Sequence, residues 1–271
     1  MNSIIMEEIK FNEYIENELK PNLEELSNLR KEIRRAGIIN KFKFSILLIL
    51  GLFFTYWEIQ SEAETQLQGE NIFLVVGFIC ILLFAYAKPH SFVANKKING
   101  FKSKFKFKII GNTIRFIDPN LKYKPIFKTG KQQINKSELF NPFTEYREDD
   151  GIIGELGGYK IQISEIHVMN GLKRTFDGLF IKIKFNNEIN KDRLLEIING
   201  LRNTINLPII TSLQNDCVYL SVEHKSALFE ISLIESNDEQ IIKDIGLLHS
   251  ILVGIREIIK CQSEKFTKSA I

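Results

Sequence analysis

Two apolar runs, at 42–57 and 72–87, constrain the fold of this 271-residue chain more than any other feature. The connector between them contains glutamates but no lysine or arginine, whereas basic residues cluster on the outer sides, at 30–43 and 88–108. Because cationic flanks stay on the cytoplasmic side of a membrane, this pattern predicts a transmembrane helical hairpin. Its acidic loop is then exoplasmic and both chain termini are cytoplasmic, as in a multi-pass protein of the cytoplasmic (inner) membrane.

The length of the runs leaves two alternatives open. Each run is shorter than the roughly 20 residues that span a bilayer core, although Ile38 and Ile39 can extend the first helix. Tyr56, Trp57 and Tyr86 stand at the ends, where interfacial anchors are found. A hairpin that enters the bilayer without spanning it is one alternative. Two buried helices of a protein core are the other, but they leave the charge asymmetry unexplained.

The net charge and the cysteine content exclude few classes of protein. The position of the basic residues favours the membrane as a partner. The net charge is only +3, which argues neither for nucleic acid nor against it, and the basic residues lie closest to anionic lipid. We therefore expect the lipid bilayer as a partner and no nucleic acid. The three cysteines form no CxxC pair, so neither a disulfide framework nor a zinc site is predicted.

The hairpin divides the chain into three parts. Residues 1–37 form an N-terminal amphipathic helical segment, residues 38–90 form the hairpin, and residues 91–271 form a cytoplasmic α+β domain. In the first part Ile15, Leu19 and Leu23 recur near helical spacing, with an interruption expected at Pro21. We expect this stripe to pack on the chain's own domain, with a second copy of the chain or the membrane interface as alternatives.

The strongest β signal is the dipeptide Asn170-Gly171, which lies between two strand-forming runs within 159–185. Asn-Gly suits the two-residue turn of a β-hairpin. The apolar alternation of the second run does not match the register set by that turn. One extra residue around Asp177-Gly178 restores the match, so we predict a β-bulge there.

Other segments complete an α+β domain. Residues 92–110 predict a basic helix, although the alternation of Phe and Lys also fits a strand. A helix at 190–205 and strands at 209–213 and 216–223 follow. The last helix, at 237–260, has a continuous apolar stripe: Ile241, Ile245, Leu248, Leu252, Ile255 and Ile259. Grouped strands with helices at the edges are typical of the α+β class.

One pair of side chains could support proton transfer or bind a metal. Glu165 and His167 lie two residues apart in a predicted strand and so share a face. The alternative, which we favour, is a solvated polar patch in which Arg174 lies opposite His167. Gly130-Lys131 lacks the residues of a phosphate loop, and the glycines at 154–158 lack dinucleotide-site spacing. No cofactor and no metal site is predicted.

Two acidic features have structural interpretations. Asp118 precedes Pro119, where its side chain can brace a turn. The acidic run Glu148, Asp149 and Asp150 predicts a solvated loop, because the spacing of a calcium loop is missing.

Several fragments, in order along the chain, resemble a bacterial two-transmembrane family known as domain of unknown function 3137. They are Phe-Ile-Asp-Pro at 116–119 with Leu121 and Tyr123, Ile-Ser-Glu-Ile-His at 163–167, Phe176 with Gly-Leu-Phe at 178–180, and Leu-Phe-Glu at 228–230. The resemblance extends from about residue 92 to the C-terminus and departs from the pattern between Phe185 and Cys217. It implies a membrane-anchored architecture in the bacterial inner membrane and supplies no activity. The resemblance gives Glu165 and Asp118 more interest than their chemistry alone does, and the structural alternative for both is a fold-defining contact in which a carboxylate receives backbone donors in a turn.

These observations predict a membrane-anchored binding or scaffold protein that is non-catalytic. Its partner is another protein or a second copy of the chain, bound through the apolar stripe of the N-terminal or C-terminal helix. A ligand-sensing membrane effector, whose oligomerised hairpins perturb the bilayer, is the alternative. A membrane-surface enzyme with Glu165 and His167 as its acid/base pair ranks third.

Overall fold

The computed structural model describes residues 2–65, 95–140, 142–185, 191–224, 228–231 and 237–268. These residues divide into two compact units, one formed by Met1–Leu23 with Lys104–Ile271 and the other by Glu24–Ser103. The helices include α1 (Asn2–Tyr14), α2 (Lys20–Thr65), α3 (Asn112–Ile117), α4 (Lys131–Ser137), α5 (Lys191–Ile205) and α6 (Asp238–Lys268). Residues 95–104 are also helical and lead into a π-helical stretch at Phe105–Gly111, so the basic segment predicted at 92–110 is helical over its described part. The strands are β1 (Leu121–Lys124), β2 (Glu145–Leu156), β3 (Tyr159–Asn170), β4 (Lys173–Lys184), β5 (Ile209–Gln214) and β6 (Cys217–Glu223).

The predicted transmembrane hairpin is wrong. Within the described ranges, no helix combines the length and the apolar character that crossing a membrane requires. The first apolar run lies inside α2, a helix that continues into charged sequence on both sides of the run. The second run, 72–87, lies outside the described residues. The same finding contradicts the assignment to the inner membrane as a multi-pass protein with two cytoplasmic termini, because that assignment depended on the hairpin.

The larger unit has the α+β architecture that the sequence indicates. Its six strands form one antiparallel sheet in the order β1-β2-β3-β4-β6-β5. Directly paired residues of antiparallel strands share a face, so Ile163, Ile181 and Leu220 define one face, which we call the first face. All three side chains are completely buried. This face therefore forms a main part of the core.

The opposite, second face is buried over only part of its area. There α4 places Ile134 in a cluster with Ile166, Val168, Phe176, Phe180, Cys217 and Tyr219. Farther along the same strands the second-face positions are Lys160, Gln162, Lys182 and Lys184, which are exposed or half-buried. One half of the second face is therefore packed, and the other half is open.

The predicted β-hairpin within 159–185 is confirmed, but its turn and its bulge lie at other residues than predicted. Asn170 pairs with Lys173, so the two turn residues are Gly171 and Leu172 rather than Asn170 and Gly171. Gly171 has a φ of 61°, as suits the glycine at the first central position of a type II′ turn. The register shifts between Val168 and Met169, which leaves Thr175 as the extra residue. The bulge therefore lies close to the turn and not at Asp177-Gly178.

The N-terminal segment packs on its own domain within the larger unit, as predicted. Tyr14 stacks on Phe116 with ring centroids 4.3 Å apart, and its hydroxyl lies 3.1 Å from that of Thr113. Pro21 does not end the helix. A π-helical stretch at Ile15–Leu19 leads into α2 without a break, and Pro21 lies in the first turn of α2. Such widened turns often accompany a residue that interrupts the regular hydrogen-bond ladder.

The C-terminal helix α6 buries its whole predicted stripe. Ile241, Ile245, Leu248, Leu252, Ile255 and Ile259 are each exposed by 4% or less. The helix contacts α3 and α5, and the side-chain oxygen of Asn237 accepts a 2.7 Å hydrogen bond from the Gln240 N–H at its start. Because these six side chains are buried by packing within the chain, the stripe leaves no exposed surface for a partner. The hypothesis that this stripe binds another protein is therefore not supported.

The smaller unit consists of helical segments from α2 and residues 95–103. Lys97 donates a 3.0 Å hydrogen bond to Glu32, and the Arg30 guanidinium lies 5.8 Å from the ring centroid of Phe101. Phe101 is fully buried. A cation over an aromatic ring and an ion pair thus join its two segments.

Candidate functional site

Glu165 lies in the core rather than in a solvated patch. Its side chain is 2% exposed, and one carboxylate oxygen accepts a 2.8 Å hydrogen bond from the Leu228 N–H. Burial raises the pKa of Glu165 to about 7, although the backbone N–H groups of Leu228 and Phe229 favour the charged form. The side chain therefore anchors the segment 228–231 to strand β3. This is the structural alternative for Glu165, a carboxylate that receives a backbone donor.

Other polar groups surround Glu165 in the core. Asp150 is completely buried and accepts a 2.6 Å hydrogen bond from the Lys106 ammonium. Burial raises the pKa of Asp150, while Lys106 and Tyr123 lower it. Burial, followed by the nearby Asp150 charge, raises the pKa of the Tyr123 hydroxyl. Lys106, Tyr123, Asp150 and Glu165 thus form a polar cluster at β1, β2 and β3, in which the Tyr123 hydroxyl and one oxygen each of Asp150 and Glu165 have no hydrogen-bond partner among the described residues.

The predicted solvated loop at 148–150 is wrong, because these residues form part of a strand and the last of them is buried. These residues belong to β2, where the register shifts between Glu148 and Gly151. The irregularity changes the alternation of side chains, so Asp149 remains exposed while Asp150 points into the core. Glu148 accepts hydrogen bonds from the Thr129 and Gly130 N–H groups at 2.9 Å and 3.2 Å.

His167 and Glu165 share a face of β3, but each has its own partners. His167 Nδ1 lies 2.5 Å from an oxygen of Asp177, its direct cross-strand neighbour, and Nε2 lies 3.9 Å from Asp149. Arg174 does not lie opposite His167, because the bulge at Thr175 pairs Arg174 with Met169. Arg174 instead donates a 3.0 Å hydrogen bond to Asp177. The structure therefore places Glu165 in the core, bound to a backbone segment, and His167 at a partly exposed position, hydrogen-bonded to Asp177.

Asp118 braces a turn, as its position before Pro119 predicts. One carboxylate oxygen accepts a 2.9 Å hydrogen bond from the Asn120 N–H, and the other lies 3.9 Å from the guanidinium of Arg256. Arg256 also donates to the Ile117 carbonyl at 2.8 Å and to Glu7 at 2.6 Å. Arg256 thus joins α6 to the end of α3 and to α1.

The larger unit also contains a cleft that sequence reasoning missed. It has a volume of about 390 Å³ and lies between α1, α5 and α6. Its lining residues are Glu7, Glu8, Ile197, Gly200, Leu201, Thr204, His249, Ser250, Val253, Gly254 and Glu257. We call this the helical cleft. A glycine within an amphipathic helix, such as Gly200 in α5, was the sequence signal that could have pointed to it.

The helical cleft combines an apolar wall with an acidic rim. Glu7 is paired with Arg256 and Glu257 with Lys260, whereas Glu8 forms no ion pair with any residue that the structure describes. His249 stacks on Phe11 with ring centroids 3.8 Å apart. Burial lowers the pKa of His249, which favours its neutral form. The rim therefore presents negative charge without a competing imidazolium.

Comparison with family models, with curated proteins and with solved structures gives no match. The resemblance to the family of unknown function therefore stays a prediction. Within the described residues, no group of three or more His, Cys, Asp or Glu side chains is arranged to bind a metal ion.

The raised pKa of Glu165 predicts a pH-dependent stability. Between its ordinary value of 4.5 and its folded value of about 7, the folded chain binds a proton that the unfolded chain has released. The free energy of unfolding should therefore fall as the pH rises through this range, by about 2–3 kcal/mol. Urea denaturation of the wild type and of Glu165→Gln at about pH 5 and pH 7.5 measures this effect. If the wild type loses no more stability between these two pH values than Glu165→Gln does, the prediction is contradicted.

Proposed function

We propose that this protein is a non-catalytic binding protein whose ligand is a small, largely apolar molecule with a positive charge, held in the helical cleft. The observation that supports this most is the combination of an apolar wall and an acidic rim in one cleft. The proposal retains the prediction of a binding protein, without the membrane anchor. Binding of another protein or of a second copy stays a prediction with no surface assigned to it.

The dimensions of the cleft suit a small ligand. A volume of about 390 Å³ lies within the range typical of small-molecule sites, about 300–1,000 Å³. Ile197, Leu201 and Val253 supply apolar contacts, and Thr204 and Ser250 supply hydroxyl groups. A methyl group built on Gly200 would meet no atom within 4 Å, which shows that the glycine borders open space.

The charge of the rim supports a cationic ligand. Glu8 has no ion-pair partner among the described residues, and the neutral form of His249 does not repel a cation. An ammonium group that enters next to Glu8 would form a charge-assisted hydrogen bond. An anionic ligand of the same shape would be repelled by the Glu8 carboxylate, while Glu7 and Glu257 are already paired with Arg256 and Lys260.

The placement of the candidate catalytic residues also supports binding rather than catalysis. Glu165 anchors a backbone segment in the core, and His167 is hydrogen-bonded to Asp177 at a partly exposed position. Neither side chain lines the helical cleft. The third hypothesis, a membrane-surface enzyme with these two residues as its acid/base pair, therefore has no geometric support.

Two matched probes test the proposal: octylammonium and octanoate, which share a chain and differ in charge. We expect octylammonium to bind about tenfold more tightly than octanoate, as measured by calorimetry. Gly200→Leu should weaken octylammonium binding by about tenfold, because the new side chain occupies the cleft. Glu8→Gln should remove most of the preference between the probes.

Gly246→Leu is the matched control, because Gly246 is also a helical glycine with no atom near its Cβ position and does not line the cleft. It should leave octylammonium binding unchanged. Equal affinity for both probes, or equal losses in the two glycine variants, would overturn the proposal.

A further inference from the structure

We infer that the open half of the sheet's second face is a second binding site, for a small molecule with adjacent phosphate groups of the nucleoside diphosphate class. This inference does not rest on the helical cleft, which lies between helices and shares no residue with it. It rests on the positions, the ion pairs and the surroundings of three lysines.

The three lysines are brought together by the register of β3 and β4. Lys160 pairs directly with Lys184, and Lys182 pairs with Gln162 one step along the same face. Like charges directly opposite each other in a sheet are destabilising. An anion bound between these ammonium groups would relieve the repulsion between them.

Intramolecular ion pairs leave most of this charge uncompensated. Lys184 lies 3.4 Å from Asp216, in a pair that is about half exposed on both sides. Lys160 and Lys182 form no ion pair with any residue in the described part of the chain. Glu155, the cross-strand neighbour of Lys160 on β2, is the acidic residue that lines the same depression. Three cations thus face two carboxylates, Glu155 and Asp216, of which only Asp216 lies within ion-pair distance of a lysine.

The lysines surround a depression of about 440 Å³, which has the size of a small-molecule site. Phe127 and Ile153 form its apolar side. The Phe127 ring occupies the space that a side chain at Gly151 would fill, which fixes the ring over the sheet. An apolar or aromatic part of the ligand can therefore pack on Phe127 while its charged part lies over the lysines.

The chemistry of the site selects the ligand class. Lysine ammonium groups bind phosphate oxygens as point charges, and three of them match the charge of a diphosphate better than that of a single carboxylate. A flat ring attached to the phosphates complements Phe127. A nucleic acid would need a longer basic track, so a depression bounded by three lysines favours a small molecule.

Calorimetry of the full chain with ADP, inorganic pyrophosphate and adenosine tests the inference. We expect ADP to bind more tightly than pyrophosphate, adenosine to bind least, and the affinity for ADP to fall as salt is raised. Lys182→Gln should weaken ADP binding by about tenfold. Lys173→Gln, which removes an exposed lysine from the other end of the same strand, should leave it unchanged.

Thermal unfolding of each variant confirms that it is folded. Equal ADP affinity in the wild type and Lys182→Gln, or no binding of ADP at millimolar concentration, would overturn the inference. Binding of an oligothymidylate that depends on Lys182, in the absence of ADP binding, would also overturn it. Octylammonium should not displace ADP, so failure at this site and failure at the helical cleft are distinguishable.

Discussion

Gly178→Ala is expected to destabilise the larger unit severely, by on the order of 4 kcal/mol or more. Gly178 lies in β4, between β3 and β6. Its φ is 154°, a value that residues other than glycine rarely adopt. A Cβ atom there would overlap the Val222 carbonyl oxygen and crowd the His224 nitrogen. Because both are backbone atoms of the paired strand and its end, the clash is relieved only by separating β4 from β6.

Gly171→Ala is the control for this prediction. Gly171 also has a positive φ, 61°, but a Cβ atom there would meet nothing within 4 Å. Its replacement should cost only the backbone strain, about 1–2 kcal/mol. Chemical denaturation of the two variants measures the difference. Equal destabilisation would show that the close contact between β4 and β6 is not what requires glycine at 178.

Glu165→Ala is expected to destabilise the same unit by about 3 kcal/mol at about pH 5. The substitution leaves the buried backbone N–H groups of Leu228 and Phe229 without the acceptor that Glu165 provides, and it opens a cavity in the core. Each buried donor without an acceptor costs about 1–3 kcal/mol. The segment 228–231 should then exchange its amide hydrogens faster than the centre of the sheet does.

Glu165→Gln separates the loss of an acceptor from the loss of a charge. Glutamine retains an oxygen that can accept the Leu228 N–H and has nearly the same volume as glutamate. At about pH 5 it should cost much less than alanine, and amide exchange at 228–231 should remain slow. If the glutamine and alanine variants lose equal stability at this pH, hydrogen bonding to the segment is not the role of Glu165.

Local chemistry made some of these features predictable from sequence. Asn170-Gly171 lies between two strand-forming runs, so a hairpin was found, although the turn closes at Gly171-Leu172. The apolar stripe from Ile241 to Ile259 predicted α6 because its spacing alone identifies a helix. In both cases the signal and the structure lie in the same short segment.

Features that depend on distant contacts were not predictable. Glu165 is bound by the Leu228 N–H, 63 residues away, and no local pattern indicates such a partner. Asp150 is buried because an irregularity in β2 changes which side chains point inward. The helical cleft brings together three helices that are far apart in the chain.

The membrane prediction failed for a different reason. The charge asymmetry around the apolar runs is typical of a membrane hairpin, but each run falls short of the roughly 20 residues that a spanning helix needs. Helix α2 instead continues from charged sequence through the first run, so a local count of apolar residues described only part of a longer element.

Amide chemical shifts of the full chain, recorded during titration with octylammonium, test the proposed binding function most directly. The predicted result is a saturable set of shifts centred on Gly200, Ser250 and Gly254, with no comparable shifts at the control position Gly246. Shifts confined to residues outside the helical cleft, or no saturable shifts at millimolar octylammonium, would contradict the proposal that this cleft is a binding site for an apolar cation.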